Sequence, residues 1–157
     1  MIAGEEPELC VRLRAEGWKV WRLDAEMSLH DADIKRFSQW WKRSVRAGFA
    51  YAQGNFLHGG PPEYHKGKEV RSIIVWAAMI PLLILGLTLF VSKNSLVLLL
   101  LYPVQVFKVA KRKGALNTVS WQWAFFIMLG KFAEFQGVAS FNFSQWLGKR
   151  KTIIEYK

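Results

Sequence analysis

The sequence predicts a mainly α-helical membrane protein, and three observations carry that expectation. Nineteen consecutive residues, Ile73 to Val91, contain no charged side chain. As a helix rising roughly 1.5 Å per residue they reach about 28 Å, close to the thickness of a bilayer's hydrocarbon core. A second apolar stretch, Leu96 to Phe107, follows the polar break Ser92-Lys93-Asn94-Ser95 and ends on the basic cluster Lys108, Lys111, Arg112 and Lys113. The formal charge of +10 is also lopsided, with 12 Lys and Arg against 10 Asp and Glu in residues 1–72, and 10 against 2 in residues 73–157. Cations that flank apolar runs suit a membrane protein better than a nucleic-acid groove, and a chain of 157 residues has little protein with which to cover nineteen apolar ones in a soluble core.

The two apolar stretches read as the legs of a transmembrane hairpin, about 73–91 and 95–109, within a segment 67–113. The second leg is short for a span; Lys108 can snorkel to extend it, and Pro103 is expected to kink it or turn it back early. Arg71 precedes the first leg, Lys93 alone sits in the turn, and four cations follow the second leg. By the positive-inside rule this predicts a multi-pass protein of the inner (cytoplasmic) membrane with both termini cytoplasmic, membrane lipid as partner and no nucleic acid. Cys10 is the only cysteine, which excludes an intrachain disulfide, and the acidic N-terminus does not read as a cleavable leader. Of the eight tryptophans, Trp40, Trp41, Trp76, Trp121 and Trp123 fall near the expected interfaces, where amphipathic rings are favoured.

Along the rest of the chain, residues 4–17 have the marks of a short helix. Pro7 fits its first turn, Leu9, Cys10 and Leu13 share a face, Glu8 and Arg12 stand at i,i+4, and Gly17 closes it. Glu5, Glu6 and Glu8 crowd its N-terminus, where the helix dipole favours negative charge. Residues 19–29 partly alternate apolar and polar side chains, which predicts a strand. Asp31 or Asp33 is then placed to cap an amphipathic helix over roughly 34–53, with Phe37, Trp40, Trp41, Val45, Phe49 and Ala52 on one side and Lys35, Arg36, Lys42, Arg43 and Arg46 mostly on the other. Such a helix can lie on an anionic membrane surface. Residues 54–67 read as a loop. Beyond the hairpin, Val119 to Phe135 is apolar and aromatic but broken by Gln122, Lys131 and Glu134. It predicts an in-plane or re-entrant helix beside the hairpin, with a third span as the alternative and a Lys131–Glu134 pair one turn apart.

Several of these residues together resemble the C-terminal portion of membrane-bound family 2 glycosyltransferases of GT-A fold. They are Gly4-Glu5-Glu6-Pro7-Glu8-Leu9-Cys10 with Arg12-Leu13-Arg14 and Gly17, then His30-Asp31, then Gln39-Trp40-Trp41-Lys42-Arg43 with Arg46 and Gly48, then the hairpin and the closing Ile154-Glu155-Tyr156-Lys157. The similarity runs in order over most of the chain. It implies an α/β GT-A catalytic remnant in 1–33, an amphipathic interfacial helix and loop in 34–66, the hairpin in 67–113, and a membrane-associated helix with a basic tail in 114–157.

The resemblance further implies an inverting transfer of sugar from a nucleotide-sugar donor to a lipid-linked or polysaccharide acceptor. Glu6, standing where the family usually has Asp, falls in the place of the general base, with Glu5 as the alternative. Gln39, Trp40, Trp41, Lys42 and Arg43 match a variant of the motif that holds the acceptor end and the diphosphate, and His30 matches a residue that helps bind metal or diphosphate. The cofactor implied is Mn²⁺ or Mg²⁺. No Asp-x-Asp suited to a metal site stands ahead of the acidic pair, since Asp31-Ala32-Asp33 follows it. The expectation is therefore that the donor-binding half is absent, and that nucleotide sugar binds only with a complementing N-terminal half or a separate transferase subunit. The alternative is a non-catalytic membrane scaffold or partner-binding protein derived from such a transferase.

Overall fold

The structure is a computed structural model and describes residues 5–21, 23, 24, 34–114 and 117–148. Those residues are mostly helical and include no strand. The elements are α1 (Glu5–Ala15), α2 (Phe37–His58), α3 (Gly67–Ile74), a π-helical turn (Val75–Met79), α4 (Ile80–Phe90), a 3₁₀ segment (Lys93–Leu100), α5 (Leu101–Arg112) and α6 (Thr118–Trp146). The strand expected over 19–29 is not formed where it can be seen: Lys19, Val20, Trp21, Leu23 and Asp24 lie in no regular element, and the other positions fall outside the described residues. Alternation alone does not make a strand; a ladder partner is needed, and among the described residues there is none.

From α3 through the π turn to α4 the chain forms one continuous helix, Gly67–Phe90, and the second leg runs from Lys93 to Arg112. Both are long and apolar enough to cross a membrane, with mean hydropathy of 2.5 and 1.2 over their most apolar windows. The π turn has a local cause. Pro81 has no N–H, and the Ile80 N–H bonds Val75 O instead of Trp76 O, which leaves the Trp76 carbonyl without its helical partner. The Tyr102 hydroxyl of the other leg donates to that carbonyl at 2.7 Å. One proline thereby becomes a cross-link between the legs. Near the tip, the Thr88 hydroxyl meets that of Ser95 at 3.1 Å. The second leg changes from 3₁₀ to α at Leu100–Leu101, two residues ahead of Pro103, and continues to Arg112 without turning back.

The core lies at the base of the hairpin, where α2 and α6 cross. Trp40 meets Phe126 and Gly130, Val45 and Gly48 meet Gly137, and Phe49 and Phe56 meet Phe141. The numbers rise together on both helices, so the two run in the same direction. Gly48 lies against the Glu134 carbonyl and Gly137 against the Val45 carbonyl so closely that neither site has room for a Cβ. Small residues let the backbones meet, and around that contact Phe49, Ala52, Ile73, Val138 and Phe141 are buried together. The buried positions of α6, including Ser120, Ala124, Met128, Ala133, Gly137, Phe141 and Ser144, recur every three to five residues.

Three boundaries differ from those expected. α2 begins at Phe37 with Arg36 at its cap, and the Gln39 carboxamide oxygen accepts from the Lys35 and Arg36 N–H groups at 3.0 and 2.9 Å. That half of a capping box satisfies the N–H groups at the cap; Asp31 and Asp33, expected as caps, lie outside the described residues. At its other end α2 runs on to His58, into the expected loop. α6 continues to Trp146 despite Gly137, Asn142 and Ser144, because packing on α2 and α3 outweighs weak helix propensity. The expected Lys131–Glu134 pair forms at 3.1 Å. α6 has 29 residues, yet it is not among the helices apolar enough to cross a membrane.

Candidate functional site

Polar side chains gather where α1 docks on the turn between α2 and α3. Val11, 2% exposed, is the apolar anchor of α1. Beside it Glu8 is buried, with one carboxylate oxygen 3.0 Å from His58 Nε2 and the other accepting from Arg12 Nε at 3.0 Å. One turn on, the Arg14 guanidinium forks onto Glu63, Nε to Oε1 at 3.0 Å and Nη2 to Oε2 at 2.8 Å. The turn that receives α1 is tightly wound: Tyr64 and Lys66 have φ of 46° and 60°, in the left-handed region that side chains rarely occupy. His65 N–H donates to the His58 carbonyl at 2.9 Å, and the His65 ring fills the space beside Gly54. Lys66 Nζ reaches Glu69 at 3.3 Å and lies 5.0 Å over the Tyr51 ring. The outer side of this turn is an open depression of about 470 Å³ lined by Glu63, Tyr64, His65, Lys66, Lys68 and Glu69.

These contacts set the charge states. The His58 hydrogen bond holds the Glu8 carboxyl below the usual carboxylate range; burial opposes it and Arg12 reinforces it. Arg14 does the same for Glu63 through its paired hydrogen bonds. Burial, aided by the nearby positive charge of Lys66, pushes His65 down and favours its neutral ring. Glu8 is thus an ionised group with both oxygens engaged. Its chemistry is that of a latch for α1, not of a free base.

The residues expected at a transferase site are placed as follows. Glu6 is exposed on the first turn of α1, and Glu5 opens the same helix. Gln39 is used as the α2 cap. Trp40 packs among Phe37, Trp41 and Phe126, with ring centroids 5.3, 6.2 and 5.2 Å away, and Trp41 Nε1 donates to Gln136 Oε1 at 3.1 Å. Lys42 and Arg43 are exposed. His30 lies outside the described residues, and among the described residues no three His, Cys, Asp or Glu side chains are grouped to hold a metal ion.

The acidic helix and the Gln39–Arg43 cluster are not brought together. α1 is latched to His58 at the C-terminal end of α2, whereas Arg43 lies fifteen residues earlier, about 22 Å back along the same helix. Reading the sequence missed the Glu8–His58 contact, because His58 fell in an expected loop and its partner is fifty residues away. The Glu8–Arg12 spacing was the one available signal. No protein family, no curated protein and no solved structure matches this chain.

Proposed function

We propose that this chain is the acceptor-side, membrane-anchoring part of an inverting glycosyltransferase of family 2, a multi-pass protein of the cytoplasmic membrane with both termini on the cytoplasmic side. In this reading the hairpin is held in lipid. The donor nucleotide sugar is bound by a GT-A half that the described residues do not build, and Glu6, or Glu5 beside it, takes the acceptor hydroxyl's proton. The acceptor is a lipid-linked sugar or polysaccharide presented at the membrane, with Lys42 and Arg43 offering positive charge to a diphosphate.

The observation that carries the reading beyond the resemblance is the uncovered apolar seam next to the acidic pair. Leu9 and Leu13 on α1 continue into Trp18, Trp21 and Leu23, which are 68, 79 and 73% exposed. Large apolar side chains left open on a head held together by ion pairs mark a surface that packs against further protein.

The test is a sugar-transfer assay on a detergent-solubilised assembly containing this chain, with Mn²⁺ or Mg²⁺ supplied. Glu6→Gln is expected to abolish transfer while nucleotide-sugar binding persists, and retained turnover would move the base elsewhere. Tight nucleotide-sugar binding by the purified chain alone would contradict the division of labour.

A second reading, a non-catalytic scaffold derived from such a transferase, is favoured by one observation: about 22 Å of α2 separates the acidic helix from the Gln39–Arg43 cluster. It predicts tolerance at Glu5 and Glu6 with sensitivity at Trp40 and Trp41, the reverse of the pattern for a catalytic site.

A further inference from the structure

Two stretches of chain more than sixty residues apart bring their cations to the same turns of α6. At the start of α2, Trp40 packs 5.2 Å from Phe126, which carries the exposed Arg36 and Arg43 to that end of the bundle. At the end of α5, Phe107 packs 5.9 Å from Trp121, and Lys113 Nζ lies 4.9 Å over the Trp123 ring. Lys108, Lys111 and Arg112 are exposed beside it. Trp121 and Phe126 are five residues apart, about 8 Å along α6, so both groups share one end of the fold.

The sequence from 34 to 62 and from 70 to 133 contains no Asp or Glu. Among the described residues, neither α2, nor α5, nor the half of α6 that joins them brings a carboxylate to this end; Asp31 and Asp33, just ahead of α2, lie outside the described residues. The other end of α2 is different in kind: there Glu8, Glu63 and Glu69 answer Arg12 and His58, Arg14, and Lys66. Trp121 and Trp123 stand 40 and 43% exposed among the cations, the pairing of ring and charge that suits the boundary between acyl chains and headgroups.

We infer that the end of the bundle formed by the first turns of α2, the last turn of α5 and the Trp121–Phe126 turns of α6 is a binding surface for acidic phospholipid headgroups. It rests on the membrane reading of the hairpin and adds to it a choice of lipid. Positive charge converges there from two segments, so the attraction is to phosphate-bearing headgroups of an anionic leaflet and fades over a Debye length.

The test is association of spin-labelled phosphatidylglycerol and phosphatidylcholine with the full chain reconstituted in phosphatidylcholine bilayers. Phosphatidylglycerol is expected to be preferred by about fivefold or more, the contribution of one Lys or Arg close to an anionic surface. The preference should fall with added salt and stay unchanged by millimolar inorganic phosphate. It should fall most in K108Q/K111Q/R112Q/K113Q and less in R36Q/R43Q. It should persist in the charge-conserving K108R/K111R/K113R and in K68Q at the other end. Equal association of the two lipids, or a loss in K68Q as large as in the quadruple variant, would overturn the inference while leaving the embedded hairpin standing. Failure of the chain to enter either bilayer would remove both.

Discussion

The tip of the hairpin and the α2–α6 crossing are made of the same kinds of side chain, yet they dispose of them in opposite ways. At the crossing, Gly48 and Gly137 draw two backbones together until Phe49, Val138 and Phe141 are 8, 1 and 3% exposed. At the tip, Leu82, Leu85, Leu89, Phe90, Val91 and Val97 are 65, 55, 69, 87, 74 and 62% exposed. Among the described residues, α4 and the 3₁₀ segment pack chiefly on each other, on the π turn and on α5, with no further layer over them. Only 17 and 6% of the most apolar windows of the two legs is buried inside the protein. The difference teaches which solvent each region is built for: the crossing supplies its own apolar surroundings, and the tip needs them from outside.

The largest effect expected from breaking this contrast is at the crossing. Gly137→Leu would drive a side chain into the Val45 carbonyl, a backbone atom that cannot swing aside, and should destabilise the α2–α6 pair by on the order of 4 kcal/mol. Loss of hydrogen-exchange protection in both helices is the readout, and an unchanged exchange pattern would mean the close approach does not exist in solution. Along the first leg the size of a substitution's effect discriminates. Leu82→Arg on a water-exposed surface costs almost nothing, whereas in mid-bilayer it should cost about 3 kcal/mol and lower the inserted fraction. Between the legs, Tyr102→Phe leaves the Trp76 carbonyl unpaired beside Pro81 and should loosen the hairpin by about 2 kcal/mol in detergent unfolding.

The smallest effect concerns the polar head, and it depends on pH. Glu8 and Glu63 have folded values below their ordinary 4.5, so the stability they contribute is present above pH 4.5 and is lost as pH falls through those lowered values. His65, held below its ordinary 6.5, acts in the same direction: its stability is present above pH 6.5 and is lost as acidification protonates the ring. On acidification the turn between α2 and α3 should therefore loosen first, through His65, and the docking of α1 should weaken later, through Glu8 and Glu63, as followed by amide exchange in the turn and in α1. In Glu8→Gln the later stage should shrink while the His65 stage remains.

What was legible in the sequence follows from range. The legs of the hairpin, the amphipathic α2, the α1 helix and the Lys131–Glu134 pair depend on residues close together in the chain, and all were readable. The pairing of Gly48 with Gly137, the Glu8–His58 latch and the Tyr102–Trp76 bridge join residues 89, 50 and 26 positions apart, and no local pattern announces them. Pro81 was passed over in the first leg, and its consequence depends on a hydroxyl in the other leg. Of the site residues, Gln39 was singled out for chemistry and is used as a helix cap. Val20, Trp21 and Leu23 suggested a strand and stand as an uncovered seam.

The most direct measurement of whether the hairpin crosses a bilayer is thiol labelling from one side. In a Cys10→Ser background, cysteine is placed either at Asn94, in the turn, or at Trp18, beyond α1, and intact cells are treated with a membrane-impermeant maleimide. Position 94 is expected to react at once and position 18 only after permeabilisation. Equal reaction at both positions in intact cells, or at neither until the cells are opened, would contradict a hairpin that spans the membrane.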